Sequence, residues 1–173
     1  LSPQLTVATL NELHALRASA REAEIEGLML KRRDSPYLAG RPKGHWFKWK
    51  RDTLHLDCVL MYAQRGSGKR SSFYSDYTFG VWSGEGEERT LVPIGKSYSG
   101  FTDEELKRLD KLVRDNTIEQ FGPVRSVAPK LVLEIEFDAI HPSKRHKAGL
   151  AMRFPRVHRI RWDKPAQEAD TLD

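Results

Sequence analysis

FTDEELKRLDKLVRDNTIEQF, residues 101–121, is the stretch that decides how the larger part of this chain folds. Thr102 and Glu105 have capping-box spacing, in which a hydroxyl and a carboxylate satisfy each other's orphan backbone donors at a helix start. Leu106, Leu109, Leu112 and Val113 then recur at helical spacing and define one buried stripe. A helix is therefore expected through this segment. Around it the pattern is of strands: Leu54–Gln64, Ser72–Trp82 and Arg89–Tyr98 before it, Leu131–Ile140 and Leu150–Arg161 after it. RGSGKR joins the first two strands and SGEGEE the second and third, both with the glycines that hairpin connections use.

Three strands, a helix and two strands follow the order of the OB fold, a five-stranded barrel whose open face commonly binds nucleic acid. The expected fold class is mainly β with helices. Before Asp52 the character differs. Leu5–Ala23 reads as a helix with Leu10, Leu13, Leu16 and Ala20 on one face and Thr9 as N-cap. EIEGLMLKRR and HWFKWK follow as short strands. In HWFKWK the period of two puts His45, Phe47 and Trp49 on one face and Trp46, Lys48 and Lys50 on the other. Two neighbouring ammonium groups repel each other unless an anion such as phosphate sits between them, and the alternative is a half-buried strand with a solvated lysine face. In EGLMLK, strict alternation separates Glu26 from Lys31, which makes Glu26 the safer site residue.

Composition sets the outer bounds. The chain has 173 residues, 31% of them charged, and a mean hydropathy of −0.60, with no apolar run long enough for a membrane helix. Cys58 is the sole cysteine and lies in the apolar run LDCVLMY, so a buried structural thiol and a reducing cytoplasm are expected. The net charge of +5 is unevenly spread: Lys31–Arg51 and Lys144–Lys164 each hold eight Lys/Arg against one acid, the footprint of a protein that follows a phosphate backbone or of solubilising charge. The last strand, RFPRVHRIRWDK, puts Arg153, Arg159, Arg161 and Asp163 on one face if Pro155 does not shift the register. That suits recognition of a triphosphate, and equally a basic edge strand protected from aggregation. Glu134 and Glu136 read as a solvated or ion-paired strand face. His141, His146 and His158 lack metal-ligand spacing, so no zinc site is expected, and no P-loop or dinucleotide fingerprint is present. The tail PAQEADTLD is expected to trail over the surface.

EGLMLK, YLAGRP and WFKWK, in that order, resemble motifs IV and V of the ATP-dependent DNA ligases, within the covalent nucleotidyltransferase superfamily. RFPRVHRIRWDK resembles their motif VI, while VPIGKSYSGFTDEEL and VLEIEF resemble parts of their OB domain. The resemblance runs from about Glu24 to Asp163 and is closest to the bacterial enzymes. It implies that residues 1–52 are the C-terminal end of an adenylation domain, a short α/β fragment, and that residues 53–173 are an OB domain, with a hinge near Lys50–Thr53. It further implies that Glu26 organises a divalent metal, magnesium in this family, or the phosphate region, and that Lys48 and Lys50 contact the adenylate phosphate. Arg41 matches a family arginine in the turn, one residue off the usual spacing; Arg159, Arg161, Asp163 and Lys164 match the motif VI positions that meet ATP.

Such ligases seal nicks in duplex DNA through lysyl-AMP and DNA-adenylate intermediates, with ATP as the AMP donor. The nucleophilic lysine belongs to a K-x-D-G motif that these 173 residues do not contain. The chain, which begins at Leu1, is thus expected to be a fragment, inactive without an upstream adenylation segment, and otherwise a monomer partnered by nicked DNA. Two rivals stand beside this reading. One is a free-standing OB module binding nucleic acid by stacking on Phe73, Tyr74, Tyr77 and Trp82. The other is an RNA ligase or capping-type nucleotidyltransferase.

Overall fold

A computed structural model of the chain describes residues 3–66, 71–98 and 100–172, which fall into two compact units meeting between Asp52 and Thr53. In the first unit the helix α1 (Leu10–Ser19) starts where Thr9 accepts the Glu12 amide at 3.2 Å while the Glu12 carboxylate accepts from Ala8 N at 2.8 Å. Leu13 and Leu16 are half-buried and Ala20 is fully buried, whereas Leu10, expected on the same face, is 66% exposed. The strands β1 (Gly27–Lys31) and β2 (Trp46–Lys50) form an antiparallel ladder in unbroken register, Gly27 opposite Lys50 and Lys31 opposite Trp46. Gly27 is required there: its φ is +139°, and a Cβ would lie 2.3 Å from the Trp49 carbonyl oxygen.

The second unit is organised by β3 (Leu54–Arg65), long enough to change partners along its length. Leu54–Val59 pair with β8 (Val132–Phe137) on one edge, which Tyr62–Gln64 give further on to β7 (Val124–Val127), while from Val59 onward the other edge pairs with β4 (Tyr74–Ser83). With β5 (Thr90–Ser97) and β11 (Arg156–Arg161) the order across the sheet is β11-β8-β3-β4-β5, curled into an open half-barrel of the OB type. The helix α2 (Asp103–Asp115) carries the expected capping box of Thr102 and Glu105. Its Leu106, Leu109 and Val113 join Leu60, Tyr77, Phe79, Leu133 and Ile135 in one core. Cys58 is buried within it, as expected, and desolvation pushes its thiol pKa well up. Where the chain leaves β5, Gly100 at φ +102° runs so close to β11 that a Cβ would sit 2.0 Å from the Val157 carbonyl oxygen. That approach lets the sheet curl.

Several expectations are corrected. The expected helix stops at Asp115, and Thr117–Phe121 forms β6, paired with β7. The β-branched Thr117 and Ile118 and the turn at Gly122–Pro123 favour a hairpin, and β7 then has the free edge of β3 to bind. The sheet therefore has seven strands rather than five. The last two expected strands are each broken. Asp138 turns its amide to Arg153 O at 2.9 Å, so β9 (Ala139–Pro142) and β10 (Leu150–Arg153) form a separate two-stranded ladder, and Phe154 at φ +51° before Pro155 resets the chain into β11. Of the glycine-bearing connections, residues 67–70 of the first lie outside the described residues; the second holds a 3₁₀ turn at Gly86–Glu88.

The tail does not trail. Asp170 N donates to Asp57 O and the Asp57 amide donates to the Asp170 carboxylate, filling the edge of β3 that β4 has not yet reached. Trp82 Nε1 donates to Ala166 O at 2.7 Å, and Ala166 and Ala169 are buried beside Val59 and Val132. Among the described residues no helix is long and apolar enough to cross a membrane.

The contact at Gly100 gives a direct test. Gly100→Ala is expected to destabilise the chain by roughly 3 kcal/mol, from positive-φ strain plus the forced separation of β11, and to lower the thermal midpoint. A control at Gly122, where a Cβ meets no atom within 4 Å, carries only the φ cost and should fall by less.

Candidate functional site

In the first unit the β1–β2 register decides which side chains share a face. Gly27, Met29 and Lys31 stand opposite Lys50, Lys48 and Trp46, so Lys31, Lys48 and Lys50 lie on one face of the ladder. The other face carries Leu28, Leu30, Phe47 and Trp49. α1 reaches that face through His14, whose ring meets Trp49 edge-on with centroids 4.9 Å apart, and Arg17, whose guanidinium lies 5.2 Å over the same ring. Arg17 also donates to Lys50 O at 2.8 Å and to Asp52 at 2.6 Å, fixing the end of β2. On the lysine face Lys31 Nζ stands 4.1 Å over the Trp46 ring.

A pocket of ≈ 470 Å³ opens on that face. Arg41 and Lys48 line it together with Met29, Leu38, His45 and Trp46. Arg41 thus meets Lys48 despite the one-residue offset in the turn. Glu26 and Lys50 are not part of its lining. Glu26 precedes the ladder, where its carbonyl accepts from Arg51 N at 2.9 Å. His45 was expected beside Phe47 and Trp49, but β2 begins only at Trp46; with Gly44 at φ +87°, His45 leaves the strand's period and joins the pocket, its Nδ1 buried and unpartnered among the described residues. Lys31, which alternation in EGLMLK separates from Glu26, stands on the lysine face. Its signal was available in the two-residue period once Gly27, not Glu26, is known to start the pairing.

In the second unit β3, β8 and β11 present a charged face. Thr53, His55 and Asp57 come from β3 and its start, Glu134 and Glu136 from β8, and Arg156, Arg159 and Arg161 from β11. A bulge at His158 keeps the three arginines together: simple alternation would have put Arg156 on the face opposite Arg159 and Arg161, whereas the extra residue leaves Arg156 opposite Glu136 and Arg159 opposite Glu134. Arg161 donates to Asp57 at 3.2 Å and to both oxygens of Asp163 at 3.1 Å, and Lys164 Nζ reaches the same Asp57 oxygen at 2.6 Å. Arg159 Nε donates to Glu134 at 2.5 Å, and Arg156 is held by Glu136 at 3.0 Å and Asp138 at 3.4 Å. Arg161 and Lys164 thus meet at Asp57, with Asp163 on Arg161 and Arg159 on the neighbouring Glu134, while Arg153 lies apart on β10. Asp57 was missed, although LHLDCV places His55 and Asp57 together by alternation. Glu134 and Glu136 are ion-paired, as read.

Burial acts to raise the Glu134 carboxyl, but hydrogen bonds from Arg159 and His55 outweigh it and hold it below its ordinary value. The Thr53 hydroxyl, and after it Arg156, lower Glu136 in the same sense, and Arg161 lowers Asp163. Tyr74 and Tyr77 are 1% and 0% exposed, and the Tyr77 hydroxyl donates to Tyr74 O. They belong to the core and offer no base-stacking platform.

Residues 70–164 match the family described as the ATP dependent DNA ligase C terminal region. The chain belongs to this family. It is 45% identical over 172 residues to a probable DNA ligase of Koribacter versatilis, covering 99% of this chain and 29% of that protein. It is 38% identical over 148 residues to DNA ligase 1 of Korarchaeum cryptofilum, covering 86% and 27%. The chain thus spans less than a third of the length of these relatives. Among solved structures, the ligase domain from M. tuberculosis LigD superposes with a TM-score of 0.58 at 24% identity, over 89% of this chain and 50% of that one, and Pmar-Lig_Pre with 0.66 at 22%, over 89% and 31%. These establish the fold.

The depressed carboxylates define a pH response. A carboxylate whose folded pKa lies below its unfolded value adds stability above the unfolded value and loses it as pH falls through the folded one. For Glu134 and Glu136 the loss begins below about 4.5, their ordinary value. The thermal midpoint of the chain is expected to drop through this acid range, and Glu136→Gln to drop less steeply there while starting from a lower midpoint at neutral pH.

Proposed function

We propose that the intact protein containing this chain seals nicks in duplex DNA with ATP, and that the chain supplies two of its phosphate-handling surfaces. The observation that carries this is the common face of Lys31, Lys48 and Lys50 beside the Arg41 pocket: three ammonium groups gathered on one short ladder suit an anion such as a phosphate. In this reading residues 1–52 end an adenylation domain and residues 53–173 are its OB domain, the hinge falling near Lys50–Thr53.

The reaction is three phosphoryl transfers. An upstream lysine nitrogen bonds to the ATP α-phosphorus as pyrophosphate leaves; the AMP passes to the nick's 5′-phosphate, expelling the lysine; the 3′-hydroxyl then bonds to that phosphorus and AMP leaves. Lys48 and Lys50 offset charge on the adenylate phosphate in these steps, Arg41 borders it, and Lys31 joins them. Arg159, Arg161 and Lys164 receive the leaving pyrophosphate end of ATP in the first step, and Asp163 orients Arg161. A divalent ion, magnesium in this proposal, would supply further charge neutralisation; Glu26 fits as one carboxylate ligand, since magnesium is commonly held by one or two carboxylates, substrate phosphates and water.

The chain by itself has no K-x-D-G lysine and is expected to form no lysyl-AMP. The intact protein acts as a monomer on nicked DNA in the cytoplasm, where Cys58, the one thiol of this chain, stays reduced. The free-standing OB module loses support because Tyr74 and Tyr77 are buried.

Nick sealing by the intact protein tests the proposal. Arg161→Ala is expected to lose sealing of a plain nick by about 10²-fold or more, the scale of a lost electrostatic stabiliser, yet keep sealing of a pre-adenylated nick. Lys48→Ala should impair both. Wild-type rates in both variants, or binding of single strands without any sealing, would overturn it, and preferential sealing of RNA would reassign the substrate.

A further inference from the structure

On the charged face of the second unit, His55 of β3, Glu134 of β8 and His158 of β11 each bring one ligand atom to within 4.8 Å of the others. We propose that these three residues form a binding site for a divalent transition-metal ion of the zinc type. The spacing of His141, His146 and His158 along the chain suggests no such site. The ligands come from three strands adjacent in the sheet but up to 103 positions apart in the chain, from 55 to 158, so no local motif encodes them.

The β-bulge supplies the third ligand. It leaves His158 without a cross-strand partner, and its ring meets that of His55 edge-on with centroids 4.9 Å apart. Two imidazoles and a carboxylate are a donor set suited to zinc, cobalt or nickel, with water completing the coordination. Ligand atoms about 2.1 Å from a tetrahedral ion are roughly 3.4 Å apart, so rotation of the exposed histidine rings by about an ångström of travel closes the site. The strands themselves need not move.

Neighbouring groups orient the ligands. Arg159 holds one Glu134 oxygen at 2.5 Å and leaves the other, Oε1, facing His55 Nδ1 at 2.9 Å. Thr53 donates its hydroxyl hydrogen to Glu136 at 2.6 Å, so toward His55 Nε2, 3.4 Å away, it can only accept. A His55 bound to metal through Nδ1, in place of its present hydrogen bond to Glu134, would keep its hydrogen on Nε2 toward Thr53. This is the outer-shell arrangement that fixes a metal-bound histidine. Arg156, Arg159 and Arg161 oppose an incoming cation and Asp57, Glu136 and Asp138 favour it, so affinity in the micromolar range is expected. Binding would also draw Glu134 from Arg159 and leave that guanidinium freer for phosphate; this consequence, unlike the binding, rests on the ligase reading.

Calorimetric titration of the 173-residue chain with Zn²⁺ in a non-coordinating buffer at fixed neutral pH tests the site, with Co²⁺ absorption as a second readout. One saturable ion per chain and an intense tetrahedral Co²⁺ band are expected. His55→Ala and His158→Ala should each weaken binding about tenfold or more and lose the band, whereas His141→Ala and His146→Ala should change neither. Both ligand positions are exposed, and His158→Gln serves should His158→Ala fail to fold. No saturable binding, wild-type binding in both ligand variants, or loss of binding in the control variants would overturn the proposal.

Discussion

β3 pairs with β8 over its first half and with β4 and β7 over its second, and this change of partner at Val59 is the constraint from which the rest of the second unit follows. With the partner on one edge changing from β8 to β7 along its length, β3 carries a twisted sheet that coils, and its inner side chains converge into one core. The early part of the strand then has an edge that β4 does not reach, and the C-terminal segment fills it through Asp57 and Asp170. Satisfying backbone groups thereby pins the segment that follows the arginine strand, and with it the position of Lys164.

The same strand organises the charge. Asp57 accepts from Arg161 and Lys164 at once, and Glu134 from Arg159 and His55. Arg159, Arg161 and Lys164 are held in place by carboxylates before any ligand arrives, so a polyphosphate would meet pre-oriented donors but would have to compete for them. Such pairs are half-exposed and individually modest in energy. Their value lies in geometry: each guanidinium is fixed at a known register position on a sheet rather than free on a long side chain.

Lys31, Lys48 and Lys50 lie on the first unit's ladder, while Arg159, Arg161 and Lys164 lie on the second unit's sheet. In both places a small backbone feature sets the chemistry. Gly27 begins the pairing that brings Lys31 to Lys48, and the bulge at His158 keeps the arginines together. A shift of one residue at either would turn the cations to the other face.

The capping box, the helical stripe, the alternation in WFKWK and the order of strands were legible in the sequence because each depends on contacts within a few residues. The motif resemblance rested on the same short stretches. Tertiary structure alone decided what depends on distant partners. Thr117–Phe121 continues a helical reading until β7 and the free edge of β3 offer it a ladder. The tail looks unstructured until Trp82 and Asp57 supply its hydrogen bonds. His55, Glu134 and His158 show nothing by spacing, since cross-strand register and a bulge, not sequence distance, bring them together.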